Sequence, residues 1–133
     1  MIALDTNVLV RLIVGDDAKQ QAVAESLLRD AAHAGESCLI CDPVLCEMEW
    51  VLESCYGASR ADIRAVVQRL LASDGLFVFE DLEVCRRALR AHGQGKADLS
   101  DLLIGARSAA RGARTTYTFD RKLARYEYFS LLG

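Results

Sequence analysis

Ile2 to Leu4 is a short apolar run that stops abruptly at a carboxylate, a hydroxyl and an amide, Asp5-Thr6-Asn7. Such a run reads as a buried strand whose polar ending lies at the carboxyl edge of a sheet. In open α/β sheets that edge is where ligands bind, because strand ends and helix starts converge there on a crevice. What the rest of the chain does then depends on which other acids return to the same edge.

Downstream, strands and helices alternate. Val8 to Val14 reads as a short helix punctuated by Gly15-Asp16-Asp17, and Asp17 caps a longer one from about Ala18 to Ala34, ended by Gly35. Cys38 to Cys41 is the second strand candidate. Asp42 then reads as an N-cap acid with Pro43 at the first helical position, and Val44, Leu45, Met48, Val51, Leu52 and Cys55 form the buried stripe of a helix closed by Gly57. Ser59-Arg60-Ala61-Asp62 has the form of a capping box opening a helix to about Ala72, and Asp74-Gly75 is a turn before the strand Leu76 to Phe79. Asp81 or Glu83 starts a further helix to Ala91, and His92 to Ala97 is a loop. Leu99 to Arg111 is the next helix, ended by Gly112, and Thr115 to Phe119 is a β-branched and aromatic strand followed by Asp120. Tyr128 to Leu132 reads as a weaker last strand.

No repeat or linker interrupts this alternation. It predicts an α/β fold, one domain over residues 1–133, with a mostly parallel sheet of four or five strands flanked by helices. At 133 residues such a domain buries a core without disulfide or metal staples. No apolar run reaches the ~18 residues that cross a bilayer. Met1 leads directly into the expected strand, leaving no room for a signal peptide, so the expected location is cytoplasmic with no membrane association. Five cysteines, an odd number set among apolar residues, suit reduced, buried thiols, and Cys38-x-x-Cys41 has no second pair to complete a zinc site. The net charge of -3 gives no global attraction to nucleic acid, but cations cluster locally, as in Arg121, Lys122 and Arg125. Each cluster is either a solvated helix face or a phosphate-binding patch.

Two strands end in aspartate, Asp5 and Asp120, and either aspartate alone is most simply a turn or cap residue. Asp98 and Asp101 stand three apart at the start of one helix, so a single cap explains only one of them. Glu47 and Glu49 border opposite sides of the buried stripe after Pro43, and their positions alone do not choose between them. Several carboxylates in one crevice repel each other unless a cation neutralises them. All-oxygen, hard donors select Mg²⁺ or Mn²⁺ over zinc or copper, and such sites hydrolyse phosphodiesters.

The combination of Leu4-Asp5-Thr6-Asn7, Glu47, Asp98-Leu-Ser-Asp101-Leu-Leu-Ile-Gly-Ala106 and Thr118-Phe-Asp120 resembles the PIN domain family. Its small single-domain form resembles the VapC toxins of bacterial type II toxin–antitoxin pairs. The similarity covers essentially the whole chain. It implies that Asp5 and Asp101 are direct metal ligands, that Glu47 and Asp120 complete the acidic quartet, and that Asp98 is an additional candidate ligand. It also resolves the choice between Glu47 and Glu49 in favour of Glu47. Thr6, Asn7 and Thr118 become supporting groups, and Arg121, Lys122 and Arg125 the best candidates for RNA phosphate contacts. The implied activity is endoribonuclease cleavage by a Mg²⁺- or Mn²⁺-activated water with no nucleophilic side chain. The implied partners are RNA, a small cognate antitoxin and a second copy of the chain in a homodimer, extending to larger toxin–antitoxin assemblies. Two other readings compete. One is a catalytically inactive PIN-like protein-binding module. The other is a haloacid-dehalogenase-like phosphatase using Asp5 as nucleophile, a motif that wants a second aspartate where Asn7 stands.

Overall fold

The computed structural model describes residues 1–133, with six α-helices, one 3-10 helix and five strands. They form two compact units, Met1–Glu80 and Asp81–Gly133. All strand pairing is parallel, divided between a three-stranded sheet in the first unit and a two-stranded sheet in the second. No helix is long and apolar enough to cross a membrane.

In the first unit, β1 (Ile2–Ala3) pairs with β2 (Cys38–Ile40), which pairs with β3 (Phe77–Phe79), so β2 is central. Parallel neighbours need helical crossovers. Helices α1 (Thr6–Val14) and α2 (Ala18–His33) supply the first, and α3 (Asp42–Tyr56) and α4 (Arg60–Leu71) the second. Leu4, Ala31 and Cys38 form a core against which Val8, Leu12, Leu28 and Phe77 pack, so α1 and α2 lean their apolar stripes on the sheet. Burial pushes the Cys38 thiol up, which keeps it protonated and inert. The expectation of uniformly buried thiols needs correction. Cys38 and Cys85 are buried, but Cys41 and Cys46 are only partly covered and Cys55 is exposed on the outer side of α3.

Local chemistry sets the element ends. The capping box at Ser59 is complete, since its side chain accepts from the Asp62 N–H while the Asp62 carboxylate accepts from the Ser59 N–H at 2.9 Å. At the start of α3 the expectation fails by one residue. Cys41 is the N-cap and makes no side-chain cap bond, Asp42 is already helical, and the Asp42 N–H donates to Glu80 instead. Proline restricts the residue before it but does not fix which residue caps. Asp74 adopts a left-handed φ of 53° ahead of Gly75 at 84°, which an aspartate tolerates better than most residues.

The second unit pairs α5 (Leu82–His92) with α6 (Leu99–Ala110) and β4 (Thr116–Thr118) with β5 (Phe129–Leu131). Residues 119–128 make the parallel crossover through a 3-10 helix, Leu123–Arg125, rather than a full α-helix. Gly105 on α6 lets the helix settle against β5. A Cβ there would lie 2.6 Å from the Phe129 ring and 3.1 Å from the Tyr128 Cβ.

Because the Phe129 ring is buried and has little room to retreat, Gly105→Val is expected to lower the unfolding free energy by about 2–3 kcal/mol. Gly105→Ala loses less, because it gains roughly 1 kcal/mol of helix propensity. An unchanged urea midpoint in Gly105→Val contradicts the packing. Acid stability gives a separate readout at the end of α1, where the Tyr56 hydroxyl donates to Asp16 at 2.7 Å and Arg11 donates to both. The Tyr56 bond, aided by the Arg11 charge and opposed by desolvation, lowers the Asp16 pKa below its ordinary 3.8. Its contribution is full above that value and disappears as pH falls through the depressed one. The stability gap between the parent and Tyr56→Phe, measured by urea unfolding, therefore closes below the ordinary aspartate range, and a gap independent of pH refutes the assignment.

Candidate active site

In the first unit the apolar strand β1 ends at Ala3, Leu4 follows it buried, and the chain turns directly into α1. Asp5 is the N-cap of that helix, its Oδ1 accepting from the Thr6 N–H at 2.7 Å, and its carboxylate stands exposed. The helix begins two residues earlier than the aliphatic run suggested, so Thr6 and Asn7 belong to its first turn. Thr6 is only 4% exposed, and its hydroxyl donates to Glu47 Oε2 at 3.2 Å. Asp5 and Glu47, expected on grounds of resemblance to work together, are thus linked through one intervening threonine.

Helix α3 explains which of its two central acids is presented. Val44, Leu45, Met48 and Leu52 are buried, and Glu49 follows them inward at 3% exposure while Glu47 stays exposed. A buried carboxylate on an apolar stripe is uncommon. Periodicity put both acids at the border of the stripe, so the asymmetry between them emerges only from the packing. Asn7 is exposed in the first turn of α1. It lines an apolar groove of about 580 Å³ between α1 and α2, together with Val8, Val23 and Leu27.

In the second unit Asp98 occupies the N-cap position of α6, yet its side chain makes no cap bond, and Asp101 follows in the first turn, half-buried. The capping role that would have explained Asp98 on its own is therefore not taken up. Both carboxylates lie where the helix dipole favours negative charge. Asp120 follows β4 and is held by its own turn. Its N–H donates to the Thr118 hydroxyl at 3.0 Å, its Oδ1 accepts from the Lys122 N–H at 2.9 Å, and its carbonyl accepts from the Leu123 N–H at 3.1 Å. Thr118 is thus a direct support of Asp120. Arg121, Lys122 and Arg125, close after it in the chain, are all exposed.

Both units therefore offer carboxylates beside strand ends and helix starts. No thiol or imidazole belongs to either group of site residues. Oxygen donors of this kind fit a hard divalent cation such as Mg²⁺ or Mn²⁺. Sequence reasoning missed one group beside them. Lys96, in the loop before α6, was read only as part of a glycine-containing connection, and it lines a cleft with Lys122 and Arg125. Only the folded crossover brings it to those residues.

Neither a curated protein nor a solved structure matches the chain significantly. The family model of the PIN domain matches residues 2–127, a span that takes in every acid described above. PIN domains are typically metal-dependent nucleases. On that match, this chain belongs to the PIN domain family.

Proposed function

We propose that this chain is a Mg²⁺- or Mn²⁺-dependent endoribonuclease and the VapC-like toxin of a type II toxin–antitoxin pair, acting in the cytoplasm. The observation that carries the reading is the family match over residues 2–127, in a chain whose Asp5, Glu47, Asp101 and Asp120 stand where its sequence resembles the family's acidic positions. In this proposal residues 1–133 work as one domain. Asp5 and Asp101 hold the metal, with Asp98 as a further ligand candidate, and Glu47 and Asp120 complete the acidic set. A bound Mg²⁺ or Mn²⁺ supplies Lewis acidity toward the phosphodiester and an activated water.

The chain's own residues orient those acids. Thr6 fixes the Glu47 carboxylate by its 3.2 Å hydrogen bond, and Thr118 fixes the Asp120 backbone at 3.0 Å. Asn7, next to Thr6 on the first turn of α1, is the third supporting group. Arg121, Lys122 and Arg125 are exposed in the segment that follows Asp120 and are assigned to RNA phosphates. No side chain serves as a nucleophile. The partners in this reading are RNA, a second copy of the chain and a small antitoxin, in keeping with PIN domains that bind RNA and often pair with antitoxins.

Purified protein incubated with single-stranded RNA is expected to cleave it with Mg²⁺ or Mn²⁺ and to stop on chelation. Asp5→Asn and Asp101→Asn are each expected to retain their helical signal and lose at least about a hundredfold in rate. Unchanged cleavage in either variant refutes the assignment of that residue, and no cleavage by the parent across several RNAs with both metals refutes the enzyme. Thr6 provides a finer test. Thr6→Val removes the bond to Glu47 and is expected to cost about 1 kcal/mol of stability and about tenfold in rate, whereas Thr6→Ser, which keeps the hydroxyl, restores most of the rate. Equal rates in the valine and serine variants contradict an orienting role.

A further inference from the structure

The second unit holds two polar cavities that share Gln94 and Tyr126 but differ in charge. The cavity of about 340 Å³ is lined by Arg87 and Arg90 and also by Glu127. Its cations are already engaged, because Glu83 accepts from Arg87 at 3.3 Å and from Arg90 at 3.4 Å. The cavity of about 400 Å³ is lined by Gln94, Gly95, Lys96, Lys122, Arg125 and Tyr126, with no carboxylate among its walls. Lys96, Lys122 and Arg125 make no ion pair. Three uncompensated cations around one concavity attract a polyanion, and the five-donor fork of Arg125 suits a phosphate.

The cleft is built rather than incidental. The Ala97 N–H donates to the Tyr126 hydroxyl at 3.2 Å, tying the loop that carries Lys96 to the segment that carries Lys122 and Arg125. Gly95 makes this approach possible, since a Cβ there would overlap the Tyr126 hydroxyl oxygen. At its other end the segment is fixed to Asp120, whose Oδ1 and carbonyl accept from the N–H groups of Lys122 and Leu123. The cleft is therefore held about one 3-10 turn from an acid of the proposed quartet.

We propose that this cleft is a phosphate subsite for single-stranded RNA, in which Lys96, Lys122 and Arg125 hold a backbone phosphate flanking the bond to be cut while Tyr126 and Gly95 position the two walls. The assignment rests on the nuclease reading for its substrate, but binding is measured separately from cleavage. Neither Arg121 nor the Arg87–Arg90 pair belongs to this subsite.

The test is equilibrium binding of a fluorescent single-stranded RNA oligonucleotide to the full chain in chelator, so that no cleavage occurs, at several salt concentrations. The parent is expected to bind with an affinity that falls with salt. Lys96→Glu and Arg125→Glu are each expected to weaken binding about tenfold and to reduce the slope of log affinity against log salt by about 0.7 for each phosphate that is no longer neutralised. Gly95→Ala weakens binding by pushing Tyr126 aside without changing any charge. Arg29→Glu on α2 makes the same change in net charge as Lys96→Glu outside the cleft and leaves affinity near that of the parent. The proposal is overturned if the parent shows no salt-dependent binding, or if Lys96→Glu and Arg125→Glu match Arg29→Glu in affinity and slope. It is also overturned if poly-glutamate of equal charge competes as well as RNA, which would indicate an acidic protein as the occupant. A parent that binds RNA through this cleft but does not cleave it with metal leaves the subsite standing and refutes the nuclease reading alone.

Discussion

The proposed active site depends on the way β1 hands over to a helix through the buried Leu4 and then Asp5. Within β1 itself Ile2 is half-buried and Ala3 exposed, rather than buried throughout as expected. The side chain of Leu4 is locked into the core with Ala31 and Cys38, so the residue after it must leave the sheet at its carboxyl edge. Asp5 does so while serving as N-cap to α1, which fixes the backbone on which its carboxylate sits. One residue further on, the buried Thr6 hydroxyl reaches across to α3 and holds Glu47. A carboxylate on an exposed helix face ordinarily samples many rotamers, and a bond from a buried donor restricts them. Parallel β-sheet packing thus orients two acids before any ligand arrives.

The second unit reaches a comparable arrangement by other means. Asp98 and Asp101 are set by the start of α6, and Asp120 by a turn in which its carboxylate and carbonyl each accept a backbone N–H. The crossover that follows that turn runs through a single 3-10 turn in place of the full helix usual in a parallel crossover. The Ala97 bond to the Tyr126 hydroxyl, with Gly95 leaving room for that hydroxyl, brings Lys122 and Arg125 to Lys96.

Much of the fold was legible because its punctuation is local. Asp17 and Ser59 cap where their side chains predict, Asp81 is the cap of the two acids left open at the start of α5, and Gly15 and Gly57 end their helices in left-handed conformations. The errors arose where local signals compete. Asp42 looked like a cap, but the backbone enters α3 one residue sooner and Glu80 takes its N–H. The division of five parallel strands between two sheets depends on long-range pairing that alternation alone does not specify. Among the candidate site residues, the acids and the supporting Thr6, Asn7 and Thr118 were named through the family resemblance, whereas the bonds that tie the supports to particular partners were not legible. The Thr6 to Glu47 bond spans 41 positions, and the Ala97 to Tyr126 bond spans 29. The inward turn of Glu49 beside the outward Glu47 likewise needed the packed helix, since both border the same stripe in sequence.

The central claim is that the carboxylate following β1 is a metal ligand, acting with the acid in the first turn of α6, and direct Mn²⁺ binding tests it without reference to any substrate. Titration of the protein with Mn²⁺, followed by calorimetry or by the electron paramagnetic resonance signal of the free ion, is expected to show saturable binding in the parent. That binding should be lost in Asp5→Asn and in Asp101→Asn alike, each with its fold intact. Binding of undiminished strength in Asp5→Asn would contradict the account.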